Sequence, residues 1–430
     1  MAEDQRVERR KDAAAVLRWV SKVSSAWLLI GFFWFSYLLN HADRQIVYTL
    51  FPALQKEFGY SDAVVGLVGA LFLWVYGLCS PLAGILGDRI SKPVVITASI
   101  GLWSSFTALS GLSPNGAFLL TCRALLGVSE SMFMPAAYAL MANAHGPKTR
   151  SRAISIFGTS QLVGVALGGS LSGYVAERYN WRISFLALGL IGILFAGPMW
   201  IFLRSLPERF VHVPVDRRIQ QATVRSFFAL FRIPTLRIVT AFASIATFGL
   251  FLVYTWLPTF LYDKFGLGLA KAGFEASVYP QIGTALGLVA GGAIADRWYK
   301  RTNAGRFWVV SAGFLLGAPS IFWLGAAPTL VLTRVAAIAF GFGVGFITGN
   351  QAACAFDVVP ASLRASTTGM LNLIGATVAG FAPFLGGLSR KTIGVNRLMT
   401  FSALLFLASG VFVIYGTRRH FAVDHRLAGE

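Results

Sequence analysis

The chain has 430 residues, of which 56% are hydrophobic and only 13% charged; a soluble protein of this size carries roughly a quarter charged residues to cover its surface. Its three cysteines, Cys79, Cys122 and Cys354, all fall inside apolar runs, which argues against disulfides and gives no metal-ligand spacing. The net charge of +19 invites a nucleic-acid reading, but the basic residues follow a membrane topology instead.

The first 25 residues are polar and basic, carry no cleavable signal peptide, and read as a partly disordered cytoplasmic lead-in. Val16, Leu17 and Trp19 in it suit a lipid surface. Long uncharged stretches follow at 26–39, 64–87, 94–122 (divided by SGLSPNG at 110–116), 131–144, 155–175 and 183–203. After a basic segment the second half continues with 238–262, 276–295, 307–333, 335–356, 365–389 and 398–417. A helix crossing the hydrocarbon needs about 20 apolar residues, and backbone in lipid must satisfy its own hydrogen bonds. The prediction is an all-α membrane protein of twelve spans: a tail (1–25), a six-helix bundle (26–203), a cytoplasmic linker (204–236), a second six-helix bundle (237–417) and a tail (418–430).

With twelve spans both termini share one side. About 26 of the Lys and Arg residues lie on that side and about eight in the opposite loops. Arg44, Arg123 and Arg334 fall in or at the ends of spans. An excess of positive charge marks the cytoplasmic side, so both termini are expected there, in a bacterial-type inner membrane. The basic residues are topological, and no nucleic-acid partner is expected.

The halves repeat. GILGDRISK (84–92) closes the second span and GAIADRWYK (292–300) the eighth; PKTRSRA (147–153) precedes the fifth and PASLRA (360–365) the eleventh. Such internal symmetry suits transporters that rock one bundle against another around a midplane site. The G-x-L-x-D-R element, its echo and the twelve-span count resemble the major facilitator superfamily over essentially the whole chain. The resemblance implies that Asp88 and Arg89, with Asp296 and Arg297 in the second half, latch the bundles on the cytoplasmic side; their bland alternative is solvated turn residues.

Five ionisable residues lie at membrane depth in the first half: His41, Asp43 and Arg44 in the first span, Arg123 and Glu130 in the fourth. Each costs about 2.5–3.5 kcal/mol at the bilayer centre if unpaired, so together they imply pairing or hydration. Helix rise places Asp43 about 25 Å from the cytoplasmic edge and Arg123 about 7 Å below the outer edge, so the two share a depth and an ion pair is expected. Glu130 follows two turns later on the same face, near the midplane and with no equally clear partner. Asp43 and Arg44 point about 100° apart, so one is expected to face a cavity and the other a neighbouring helix. Burial and a nearby cation pull a carboxylate's proton affinity in opposite directions. A substrate anion that competes for the arginine therefore frees the aspartate to take a proton. The alternatives are a permanent packing salt bridge for Asp43–Arg123, a structural Glu130, and a helix-end donor role for His41.

R-x-x-x-G-x-x-E (123–130) followed by Pro135, with Asn40, Asp43 and Arg44 matching N-x-x-D-R, resembles the anion:cation symporter branch, which includes sugar-acid and sialic-acid transporters. That resemblance implies Arg44 and Arg123 as cations for the substrate anion and Asp43 and Glu130 as protonation sites, with His41 beside them. His41 stands where that branch usually has tyrosine, and Ser131 where a small glycine or alanine is common. DRQ (43–45), LFLWVYGLCSPLAG (71–84) and RAISIF (152–157) are similar to Spinster-like transporters of amphiphilic lipids, and both branches remain open.

The second half has almost no charge at depth: Glu275 and Arg334 lie near the outer ends and Asp357 at the cytoplasmic end. Tyr254, Tyr279, Gln281, Asn350, Gln351 and Asn372 suit hydrogen bonds to substrate hydroxyls, or interhelical packing. The scattered histidines (41, 145, 212, 420 and 425) and the lack of a phosphate-cradling loop speak against an enzyme or an ATP-driven pump. The expectation is a monomeric secondary transporter moving a small organic anion, driven by the proton gradient with no cofactor, in contact only with substrate, protons and lipid.

Overall fold

A computed structural model describes residues 2–207, 230–360 and 363–429; the side chains of 2–24, 84–89, 147, 148, 151, 365 and 429 lie outside the described residues. The elements are α1 (Ala2–Thr49), α2 (Phe51–Phe58), α3 (Asp62–Arg89), α4 (Lys92–Gly111), α5 (Gly116–Ser131), α6 (Phe133–Ala144), α7 (Pro147–Arg178) and α8 (Trp181–Ser205). Past the linker come α9 (Pro234–Phe265), α10 (Leu269–Tyr299), α11 (Gly305–Ala326), α12 (Leu330–Phe356), α13 (Arg364–Ser389), α14 (Val395–Gly416), a π-helical turn (Thr417–Phe421) and α15 (Ala422–Gly429). Linker residues 208–229 lie outside the described residues.

Local chemistry sets the helix ends. Proline occupies the first turn of α2, α4, α7 and α9, where its missing N–H would be unpaired anyway. Asn115, Asn180 and Thr329 cap α5, α8 and α12 by accepting from backbone N–H groups. Gly59 and Gly266 end α2 and α9 at φ 64° and 61°, the left-handed conformation that glycine adopts freely.

Among the described residues eleven spans are long and apolar enough to cross a membrane, α5 and α6 counting as one. The twelfth is the part of α1 from Ser25 onward, whose apolar run is interrupted by Asn40, His41, Asp43, Arg44 and Gln45. The break between α5 and α6 falls at Met132, two residues after Glu130. Pro135 explains it, because a proline cannot donate to the carbonyl four residues back, at Ser131.

The bundles repeat in their packing: α1 lies on α7, α4 on α8 and α3 on α5, as α9 lies on α13, α11 on α14 and α10 on α12. The protein is thus a twelve-helix membrane fold of two pseudo-symmetric six-helix bundles. They meet along two seams, α3 with α13 and α7 with α10.

The seams are closed at one end only. We call the side that carries the chain termini the near side and the other the far side. On the far side a methyl group on Gly66 would strike the Pro383 carbonyl, and one on Gly273 the carbonyl of Gly169. Small residues admit this backbone contact. Further along the same faces of α7 and α13, toward the near side, Gly158 and Gly369 have open space beside them. The apolar core agrees: one cluster joins both bundles through Tyr48, Phe51, Val65 and Trp256, whereas the near-side cluster around Phe33, Trp103 and Phe157 belongs almost wholly to the first bundle. The cavity between the bundles therefore faces the near side.

Candidate functional site

α1 brings Asp43 and Arg44 to the inner wall of the first bundle, and α5 brings Arg123 and Glu130 opposite them. All four sit in two ion pairs. Arg44 meets Glu130 at 2.8 Å, with its Nε donating to Oε2 at 2.9 Å, while Arg123 lies 3.5 Å from Asp43. The Arg123 and Glu130 side chains are fully buried and that of Asp43 nearly so, whereas Arg44 retains 12% exposure.

The two pairs are unequally satisfied. At 3.5 Å the Arg123–Asp43 contact is an ion pair too long for a hydrogen bond. All three guanidinium nitrogens of Arg123, Oδ2 of Asp43 and Oε1 of Glu130 are buried without a hydrogen-bond partner among the described residues. Thr107 on α4 donates to Asp43 Oδ1 at 2.9 Å. Aromatic faces complete the site: Arg44 lies over Phe72 and Tyr76 at 4.9 and 4.8 Å, and Arg123 over the same Phe72 at 5.1 Å. A ring face stabilises a desolvated cation without supplying a counter-charge, so both arginines are held in place while remaining available to an anion.

The sequence expectation for Glu130 is corrected here. It has a clear partner, Arg44, which spacing along one helix does not reveal because the partner belongs to another span. Of Asp43 and Arg44, Asp43 is the one turned to a neighbouring helix, where Thr107 of α4 donates to it, and Arg44 is the one that keeps exposure while it reaches α5. His41 is no helix-end donor: α1 continues to Thr49, and the imidazole is buried in edge contact with Tyr37 at 4.5 Å, its Nε2 unpaired.

Gln45 of α1 donates across the bundles to the Tyr254 carbonyl at 3.4 Å, and within the second bundle Gln281 donates to the Tyr254 hydroxyl at 2.5 Å. Those two polar residues of α9 and α10 therefore border the charged site. The other four lie apart from this pair. Tyr279 sits under Arg334, which pairs with Glu275; Asn350 donates to its own helix at Phe346; Gln351 is half-buried and Asn372 exposed. Asp296 and Arg297 are exposed and form no ion pair among the described residues. The side chains of Asp88 and Arg89 lie outside the described residues.

The family model of the Major Facilitator Superfamily matches residues 33–383. The chain belongs to this superfamily. It is a multi-pass membrane transporter, not an enzyme. Curated relatives include a hexuronate transporter of Bacillus subtilis (strain 168), 25% identical over 394 residues that cover 90% of this chain and 92% of the relative. An MFS-type efflux pump of Mycolicibacterium smegmatis is also 25% identical, covering 84% of each chain, and a probable galactarate/D-glucarate transporter of B. subtilis is 26% identical, covering 88% of each. Among solved structures, a bacterial homolog of the human lysosomal transporter Spinster, inward-facing and unoccupied, aligns with TM-score 0.74 at 19% identity, covering 94% of this chain and 97% of that one. At that identity the likeness speaks for the fold.

Sequence reading of the transporter missed Phe72, Tyr76 and Thr107. The two aromatics stand in LFLWVYG (71–77), where a helical aromatic stripe looks like ordinary packing. Nothing local marks Thr107, whose role arises only when α4 meets α1. Arg390 was missed as well. It donates to Asp62 at 2.6 Å and Gln55 at 3.2 Å across the bundle interface, and to Asp263 of its own bundle at 2.5 Å.

Proposed function

We propose that the protein is a proton-coupled symporter of a small organic anion of the sugar-acid class. Arg44 and Arg123 hold the anion, and Asp43 and Glu130 carry the coupling proton. The observation that carries this reading is the pair of buried carboxylate–guanidinium contacts facing one another across α1 and α5. Two cations and two carboxylates sum to zero. An anion entering this low-dielectric site adds one negative charge, which is costly there, and one proton on a carboxylate restores the balance. The anion displaces Glu130 from Arg44, and the freed carboxylate takes the proton; Asp43, whose hold on Arg123 is the looser, offers the second site. The polar pair Tyr254–Gln281 faces substrate hydroxyls from the other bundle.

The relatives named for hexuronate and for galactarate/D-glucarate transport support the sugar-acid class. By the charge asymmetry of the loops the near side is the cytoplasm of a bacterial-type inner membrane, so the cavity opens inward. The bundle boundaries at 26–203 and 237–417, a monomeric working unit and the near-side latch of Asp88, Arg89, Asp296 and Arg297 belong to the same proposal. The proton gradient is the energy source, with no cofactor.

Proteoliposomes test it. Glu130→Gln mimics the protonated carboxylate and should keep counterflow of hexuronate while losing accumulation driven by a pH gradient. Arg123→Ala should abolish binding itself. Accumulation by Glu130→Gln equal to that of the unmodified protein would make Glu130 structural. If Arg123→Ala still binds a carboxylate but loses a zwitterionic lysolipid, transport of amphiphiles replaces the sugar-acid reading.

A further inference from the structure

The end of the chain builds a feature that shares no residue with the buried charges. Past Gly416 the π-helical turn (Thr417–Phe421) leads into α15, and the two together form a hook folded back on the near-side face of the second bundle. Its attachments are specific. Asp424 accepts from the Thr235 backbone N–H at the start of α9 at 2.7 Å, and His425 Nδ1 lies 2.6 Å from the Asp357 carbonyl. Phe421 packs on Phe307 and stacks on His425, both at 5.0 Å between ring centroids. Single π turns are uncommon and often mark functional positions.

Between this hook and the α10–α11 connection is a cavity of about 650 Å³, lined among others by Thr302, Asn303, Trp308, Arg418, His425 and Arg426. Ligand sites commonly measure about 300–1,000 Å³. Among the described residues that line it, Arg418 and Arg426 carry charge, beside His425, and none is acidic. Arg418 and Arg426 form no ion pair or hydrogen bond among the described residues. The nearby carboxylates are engaged elsewhere, Asp424 with the Thr235 N–H and Asp357 with Arg306 at 2.5 Å. The Thr417 hydroxyl, also in the lining, is buried without a hydrogen-bond partner.

The level of the cavity narrows its ligand. Thr417 lies 22 residues beyond Val395, so about 33 Å along α14 from the far side, which is the depth of the opposite headgroups. Tyr415, Val423 and Leu427 beside the cavity are more than half exposed, and Arg419 reaches back to the Tyr415 hydroxyl at 2.6 Å. Apolar surface and turned-back arginine are what a lipid interface selects.

We infer that this cavity binds a phosphate group at the near-side membrane surface, supplied by the headgroup of an anionic phospholipid. Arg418 and Arg426 serve as charge-assisted donors, and Thr302 and Asn303 as neutral ones. Guanidinium matches phosphate oxygens in a fork geometry that a lysine lacks. The Trp308 indole, in the same lining, lies 6.0 Å from the Arg418 guanidinium. Occupancy would brace the hook, and through it the near-side ends of α9, α11 and α12.

Native mass spectrometry of the delipidated full-length protein tests this, with phosphatidylglycerol against phosphatidylcholine of identical chains and with glycerol 3-phosphate as the soluble source. The unmodified protein should retain phosphatidylglycerol preferentially, and R418Q/R426Q should lose that preference at least ten-fold. A control that removes two near-side arginines elsewhere, R204Q/R237Q, should keep it. Competition by glycerol 3-phosphate, lost in R418Q/R426Q and without lipid discrimination, would keep the phosphate site and reassign its source to a solute. Equal retention by all three proteins, or equal loss in the control, would overturn the inference. Should the double variant fail to fold, N303A and R418Q singly carry the same comparison.

Discussion

Arg390 on the far side is the side chain through which α13 grips the first bundle, and its removal makes a quantitative prediction. Two of its hydrogen bonds cross the interface, to Asp62 at 2.6 Å and to Gln55 at 3.2 Å. The Asp62 side chain is 9% exposed and that of Arg390 20%, so the pair is only partly screened. A hydrogen bond between charged groups is worth about 1.5–3 kcal/mol and a neutral one about 1, and partial exposure reduces the pair toward about 1. The third bond, to the 47% exposed Asp263, lies within one bundle and drops out of the balance. Arg390→Gln should therefore weaken far-side closure by about 1–2 kcal/mol, a shift of about 5- to 30-fold in the ratio of near-side-open to far-side-open states. Spin labels at the exposed far-side positions 179 and 397, one in each bundle, report it as a growing population at long distance. Asp62→Asn should produce much of the same shift, and the double variant little more than either alone. An unchanged distance distribution, or fully additive shifts, would refute the clamp.

Arg44→Lys keeps the charge but loses the planar contact with Phe72 and Tyr76, so substrate affinity in proteoliposomes should fall about ten-fold with the protein still folded. Gly273→Val cannot close the α7–α10 seam against the Gly169 carbonyl; it should bind substrate yet show under a tenth of the transport, as counterflow measures. On the far-side surface Glu57 bonds Arg182 at 2.8 Å, which holds its carboxyl below the usual range. A depressed carboxyl contributes stability above its unfolded pKa and loses it as pH falls through the folded value. Glu57→Gln should thus flatten the acid limb of a melting-temperature profile below about pH 4.5 and leave stability near pH 7 lower by a few tenths of a kcal/mol at most.

The sequence by itself determined the class of molecule and much of the site. Apolar runs of bilayer length oblige the backbone to form spanning helices, and the repeated D-R element located the two halves. Charges at membrane depth are expensive enough that Asp43, Arg123 and Glu130 stood out, and helix rise put Asp43 level with Arg123. Only the tertiary structure decided the partnerships. Helical spacing fixes depth and face along one span, but which span lies opposite is set by packing of the whole bundle. That is why Glu130 acquired Arg44, why Thr107 became a support for Asp43, and why Tyr254 and Gln281 border the charges while Tyr279 sits beneath Arg334. The same reason hid Arg390, which looks like any loop arginine until α3 and α9 are folded against the end of α13.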